Sequence, residues 1–93
     1  MAASTIKAKT LYRKYGSYSN ITIPSSEYIK IDSFANLGVE SSHYCIAMMI
    51  RGWSGSIAGV TVVKSQTGAD FYLCGPAGKT ISSFYVEYVF ATF

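Results

Sequence analysis

The side chains that could carry acid–base or nucleophilic chemistry are few in this sequence. The only histidine is His43, and the acids are Glu27, Asp32, Glu40, Asp70 and Glu87. Glycoside hydrolysis needs two carboxylates on either side of one bond, and no spacing selects such a pair here. A triad of His43, Asp70 and a serine could be drawn, but no nucleophile elbow supports it. We therefore expect no enzymatic activity and no catalytic residue.

Metal and cofactor motifs are equally weak. Cys45 and Cys74 are the only cysteines, and together with His43 they lack the spacing of a zinc finger. The run GPAGKT at residues 75–80 is too short for a P-loop, and no helical pattern follows it. We expect no metal and no cofactor. The two cysteines could form one disulfide, but the absence of an export signal favours reduced thiols.

Binding chemistry is better represented, because the chain is rich in aromatic residues. Sugar-binding surfaces combine a flat aromatic ring with nearby polar groups, and Trp53 beside Arg51, Ser54 and Ser56 offers that combination. Trp53 could equally be a core residue that caps one end of the domain. Tyr72 with Asp70 is a second candidate, whose alternative is a tyrosine in a cross-strand pair. The predicted ligand-binding residues are Trp53, Arg51, Tyr72 and Asp70.

Composition restricts the class of protein. The 93 residues are 49% hydrophobic but only 14% charged, whereas charged residues make up about 25% of a typical globular domain. The chain is therefore globular, and either Ser, Thr, Asn and Tyr side chains solvate its surface or part of its apolar surface is buried in an assembly. We predict a single domain over residues 1–93, with a loose lead-in at residues 1–5.

The basic residues do not form a recognised nucleic-acid motif. Four of the eight lie at Lys7, Lys9, Arg13 and Lys14, and the net charge is +3. We interpret them as a solvated strand face and expect no nucleic-acid partner. No stretch approaches the roughly 20 apolar residues needed to span a bilayer, so no membrane insertion is expected.

Alternating side chains and regularly spaced turn residues predict an all-β chain. In Tyr28–Phe34, for example, the alternation places Ile29 and Ile31 inward and Lys30 and Asp32 outward. The segment Arg13–Asn20 reads as a turn region, with Tyr15 and Tyr18 as packed lids or ligand platforms. The seven predicted strands are Thr5–Tyr12, Asn20–Pro24, Tyr28–Phe34, His43–Trp53, Val60–Lys64, Asp70–Cys74 and Thr80–Phe93.

The strand His43–Trp53 is apolar on both alternations, with Cys45, Ala47 and Met49 on one and Tyr44, Ile46, Met48 and Ile50 on the other. A strand of this kind is expected to be covered on both sides. The second cover could be another sheet or another copy of the chain. We therefore expect a homo-oligomer, with the final strand as part of its interface.

The sequence also resembles a known class of proteins. The run Ile50–Gly59 (IRGWSGSIAG), the strand after it, the GPAGKTI turn and the aromatic-rich terminal strand are similar to C-terminal β-domains of bacteriophage and prophage tail fibres and receptor-binding proteins. The resemblance covers most of residues 20–93. It implies a β-sandwich that assembles as a homotrimer and binds host surface glycans, without shared catalytic residues.

Together these observations predict an antiparallel, jelly-roll-like β-sandwich of about seven strands in a trimer. The expected function is a non-enzymatic binding module of a phage tail that contacts host surface carbohydrate. The alternative is a structural trimerisation or virion assembly domain without a ligand. The expected location is the tail of the virion, after assembly in the bacterial cytoplasm.

Overall fold

The computed structural model describes residues 7–66 and 68–93, and the predicted lead-in at residues 1–5 lies outside them. The described residues form six strands and no helix. They therefore contain no helix that could cross a membrane. The prediction of an all-β chain is confirmed, whereas the described residues form six strands where about seven were predicted. The strands are β1 (Thr10–Thr22), β2 (Tyr28–Ser33), β3 (Tyr44–Ser54), β4 (Thr61–Lys64), β5 (Asp70–Cys74) and β6 (Thr80–Thr92).

The strands form two antiparallel sheets of three strands each. Sheet A has the order β1-β6-β3, and sheet B has the order β2-β5-β4. The arrangement is compatible with a β-sandwich. The strand at the centre of sheet A is therefore β6, and β3 lies at its edge. The inner face of β3 packs on the core, but Tyr44, Ile46 and Met49 on this strand are exposed, so residues 7–66 and 68–93 cover only one of its faces.

The miscounted strand is β1, in which two predicted strands and the turn region between them form one element. Residues 13–20 continue the ladder with β6, with Gly16 opposite Val86 and Tyr18 opposite Phe84. Glycine and serine have low strand propensity, but this preference is weak compared with the backbone hydrogen bonds that a long neighbouring strand such as β6 supplies. As a result, Tyr15 and Tyr18 lie on a strand, where Tyr15 is exposed and Tyr18 packs against the core.

A single core lies between the two sheets. Aromatic rings join them: Phe34 packs edge-to-face on Phe90 with centroids 5.3 Å apart, and the Phe71 and Tyr88 centroids are 4.5 Å apart. Such pairs add specific geometry to the burial of apolar area. The buried apolar residues are Ile23, Phe34, Val39, Val62, Phe71, Leu73, Ile81, Phe84, Val86, Tyr88, Phe90 and Ala91.

A hydrogen-bonded cluster of three side chains connects the sheets within this core. The Tyr18 hydroxyl donates to the Asp32 carboxylate and lies 2.7 Å from the Tyr88 hydroxyl. Asp32 also accepts a bond from the Ser33 backbone N–H at 2.9 Å. Asp32 was predicted to face solvent, and this is wrong. The register between β2 and β5 shifts between Lys30 and Asp32, which turns the carboxylate inward.

Gly16 provides the space that this cluster needs. A Cβ atom at this position would lie 2.6 Å from Tyr18 Cζ and 2.8 Å from Asp32 Oδ2. Both distances are too short for a real contact, so a side chain here would displace the Tyr18 ring from the carboxylate.

We expect Gly16→Ala to lower the free energy of unfolding by roughly 1–3 kcal/mol, because a buried hydrogen bond is lost and the Asp32 carboxylate is left with fewer partners. Urea denaturation measures the change. Ser17→Ala, at the exposed neighbouring position, is the matched control and should stay within about 0.5 kcal/mol. Equal stability of the wild type and Gly16→Ala would contradict the cluster's structural role.

The same cluster makes the fold sensitive to alkali. Burial raises the pKa of Tyr18, and its hydrogen bonds to Asp32 and Tyr88 raise it further. The pKa of Tyr88 is also raised, chiefly by burial. A pKa that is higher in the folded state stabilises the protein below the unfolded value of about 10, and this contribution is lost as pH rises through the folded value.

The melting temperature should therefore fall steeply above about pH 10. Thermal melts between pH 8 and 12, with tyrosinate absorbance followed in parallel, measure this. The exposed Tyr15 gives the control Tyr15→Phe, which should leave the alkaline loss unchanged. If Tyr18 and Tyr88 ionise in the folded protein near pH 10, the expectation fails.

The two cysteines lie on different sheets. Cys45 on β3 packs against the core, whereas Cys74 on β5 alternates with the buried Leu73 and so faces away from it. Both are free thiols, each partly buried. Burial raises the pKa of the Cys45 thiol, which stays protonated near neutral pH.

Candidate binding surface

The outer face of sheet A is a grid of five cross-strand rows, in each of which a residue of β6 lies between one of β1 and one of β3. Neighbouring residues of β6, such as Phe84 and Tyr88, point into the core, which places these rows on the opposite face. From one end to the other the rows are Leu11–Ala91–Tyr44, Arg13–Val89–Ala47, Tyr15–Glu87–Met49, Ser17–Tyr85–Arg51 and Ser19–Ser83–Ser54.

One end of this face is apolar, and we call Leu11, Tyr44, Ile46, Ala91 and Phe93 the apolar end. The Tyr44 and Phe93 rings pack edge-to-face with centroids 5.6 Å apart. Ala91 is fully buried between its row neighbours, whereas Leu11 is 62% exposed. Four large apolar side chains thus remain open to solvent at one place, as in protein contact surfaces.

The centre of the face carries three charges. Glu87 lies between two arginines: its Oε2 is 3.3 Å from Arg13 Nε, and its Oε1 is 3.3 Å from Arg51 Nε. The Glu87 side chain is 15% exposed, whereas those of Arg13 and Arg51 are 60% and 46% exposed. The carboxylate accepts a hydrogen bond from Arg13 Nε, forms an ion pair with Arg51, and is itself largely covered.

The opposite end of the face combines aromatic rings with hydroxyls, and we call Trp53, Tyr85, Ser17, Ser19, Ser54 and Ser83 the aromatic–serine end. The Tyr85 ring lies over Gly52, where an added Cβ would be 2.8 Å from Tyr85 Cδ1 and where φ is +55°. Glycine is therefore required at this position. The Ser54 and Ser83 hydroxyls are 2.9 Å apart. The end thus presents hydroxyl donors and acceptors beside apolar ring surfaces.

Trp53 lies at the end of β3, beside this grid. It is 49% exposed and does not belong to the buried cluster, so it is not a cap of the core. The register of β3 against β6 shifts between Arg51 and Ser54, and the bulge leaves Trp53 outside the regular ladder. Bulges of this kind often re-aim a side chain at a functional surface.

The four predicted site residues do not come together. Arg51 and Trp53 are on sheet A, whereas Tyr72 and Asp70 alternate with the buried Phe71 on β5 and so lie on the outer face of sheet B. The Tyr72 ring packs edge-to-face on Tyr28 with centroids 5.7 Å apart. Asp70 pairs with Lys30 at 3.2 Å. Tyr72 is thus engaged in the aromatic pairing that was its alternative interpretation.

A cavity of about 480 Å³ opens near the start of β3, lined by residues that include His43, Cys45, Phe34 and Lys64. Two of its polar groups already have partners: His43 Nδ1 is 2.5 Å from the Tyr12 hydroxyl, and Lys64 Nζ donates to the Ser65 and Gly68 carbonyls. Burial raises the pKa of the Cys45 thiol, which disfavours the nucleophilic thiolate. Within residues 7–66 and 68–93, no group of three or more His, Cys, Asp or Glu could hold a metal ion.

Sequence reasoning missed Arg13, Glu87 and Tyr85 as parts of this surface. Arg13 had been assigned to a turn, and only its pairing with Val89 aligns it with Glu87. The available signal was the outward alternation of Ser83, Tyr85 and Glu87 along β6.

Comparison with family models, curated proteins and solved structures finds no match to the chain.

Proposed function

We propose that this chain is a non-enzymatic binding module that contacts carbohydrate through the aromatic–serine end of sheet A. The observation that carries the proposal is the exposure of Trp53 at the end of β3, close in the chain to Arg51 and Ser54 and next to the paired Ser54 and Ser83 hydroxyls. Tyrosine and tryptophan tolerate half-wet positions and offer a flat apolar ring. Hydroxyl and guanidinium groups around such a ring supply hydrogen bonds for sugar hydroxyls.

The biological setting that we propose is a phage tail, and it rests on the sequence resemblance to tail fibre and receptor-binding domains. The resemblance also supports the finer architecture, a jelly-roll-like sandwich assembled as a homotrimer. In that setting the ligand is a glycan on the host surface, and the protein is located in the virion tail after assembly in the bacterial cytoplasm.

Trp53→Ala is expected to abolish glycan binding while it changes the free energy of unfolding by no more than about 0.5–1 kcal/mol, since Trp53 is half exposed. A glycan array and a thermal melt on the same variant give both values. Tyr28→Ala, an exposed tyrosine on sheet B, is the matched control and should retain binding.

Three outcomes would contradict this assignment. If Trp53→Ala unfolds the domain, the residue is structural. If Tyr72→Ala abolishes glycan binding and Trp53→Ala leaves it intact, the ligand uses sheet B. Absence of binding by the wild type to any glycan would remove the carbohydrate function altogether.

A second candidate function is structural assembly, and the apolar end of sheet A favours it. Leu11, Tyr44, Ile46 and Phe93 are all exposed there, on a chain with few charges. A second copy of the chain could cover this end and leave the aromatic–serine end free. The two candidate functions are therefore compatible on one face.

We expect the wild type to self-associate at micromolar concentration and Leu11→Lys to shift it toward monomer, because a charge would be buried in the contact. Size-exclusion chromatography with light scattering measures the mass. Val63→Lys places the same charge at an exposed apolar position of sheet B and should leave the mass unchanged. A wild type that is monomeric at these concentrations would contradict assembly through the apolar end.

A further inference from the structure

The charges at the centre of sheet A bear on which carbohydrate the module would bind. Arg13 and Arg51 approach Glu87 from opposite strands, and both contacts involve Nε. In the described part of the chain, no hydrogen bond or salt bridge engages the terminal nitrogens of either guanidinium. Each group therefore presents free N–H donors in a fixed fork that can bind an oxyanion through two parallel bonds.

The three charges do not cancel. Two guanidinium groups flank a single carboxylate, and that carboxylate is the least exposed of the three. The five rows contain no other charged residue. A ligand that approaches this face therefore meets net positive charge from two guanidinium groups that are both paired with Glu87. Preoriented donors lose less side-chain entropy on binding than free ones.

The two arginines differ in their neighbours. Arg51 is in the row of Ser17 and Tyr85, next to the row of Ser54 and Ser83. Arg13 is four positions away along β6, in the row next to the apolar end. Only Arg51 is therefore placed to bind an anionic group while the same ligand contacts the aromatic–serine end.

We propose that the ligand of this surface is an acidic carbohydrate, whose oxyanion substituent is bound by Arg51 while its sugar ring contacts the aromatic–serine end. The inference rests on the proposed carbohydrate function and specifies its ligand class. Arg51 supplies the charge complementarity, and Glu87 is a positioning residue that holds the guanidinium toward solvent.

The test is binding of the full chain to an array that carries neutral glycans together with carboxylated, sulfated and phosphorylated ones. The bound glycans should be acidic, and reduction of the carboxyl groups should remove binding to the carboxylated members. Arg51→Gln should weaken binding about tenfold or more, since charge-assisted bidentate bonds are lost. Arg51→Lys, which keeps the charge but not the fork, should recover only part of this affinity.

The matched variants separate a specific contact from a general charge effect. Arg13→Gln removes the same charge from the same carboxylate and should weaken binding less than Arg51→Gln. Lys30→Gln removes one positive charge from sheet B and should have no effect. Glu87→Gln removes the ion-pair partner of Arg51 but also raises the net positive charge of the face. A loss of affinity in spite of the added positive charge is expected for a positioning residue, and unchanged or higher affinity would overturn that role. Melting temperatures of all variants confirm that they fold.

Each result has a definite meaning. Equal binding to neutral glycans and their acidic counterparts would overturn the acidic ligand and leave the carbohydrate function standing. Equal losses for Arg51→Gln and Arg13→Gln would overturn the specific role of Arg51. Binding to polyglutamate with the same dependence on Arg51, and to no glycan, would overturn both the ligand class and the proposed function.

Discussion

Two sheets of three strands can bury only the faces that they turn toward each other. Every second residue of β6 fills that space, and the residues between them must face outward. In most small domains such outward positions would be polar. Here they form a surface with an apolar end, a charged centre and an aromatic–serine end. The uneven character of this surface is what connects the fold to the binding and assembly functions that we propose.

The hydrogen bonds among Tyr18, Asp32 and Tyr88 lie on the inner side of sheet A and support its outer face. Tyr18 and Tyr88 belong to sheet A and Asp32 to sheet B, so the cluster fixes the sheets relative to each other. A buried polar network specifies one arrangement because any other would leave its members without partners. The outer face of sheet A therefore lies on rigid strands, which position side chains more precisely than loops do.

The sequence predicted the parts of the fold that depend on local patterns. Asp70–Cys74 was predicted with its exact bounds, and Tyr28–Phe34 and Thr80–Phe93 each differ from the observed strand by one residue. The errors arise where a distant partner decides the structure. The turn-like segment Arg13–Asn20 is a strand because β6 pairs with it, and Asp32 is buried because of a register shift against β5.

The residues of the candidate surface could be predicted only in part from the sequence, for the same reason. Trp53 and Arg51 could be chosen together because they are neighbours in sequence. Glu87 and Arg13 could not, since only the alignment of β1, β6 and β3 brings them to Arg51. The alternation of side chains shows that a residue faces outward but not on which of the two sheets it lies. For this reason Tyr72 and Asp70, on sheet B, were grouped with Trp53 and Arg51 on sheet A.

The central claim is that the outer face of sheet A is the surface that meets the ligand. Amide chemical-shift mapping of the isotope-labelled full chain, titrated with the glycan that binds best on the array, tests it most directly. We predict that the shifts concentrate at Ser17, Arg51, Trp53, Ser83 and Tyr85, while sheet B stays unchanged. Shifts centred on Tyr28, Asp70 and Tyr72 would place the ligand on the opposite sheet and contradict the claim.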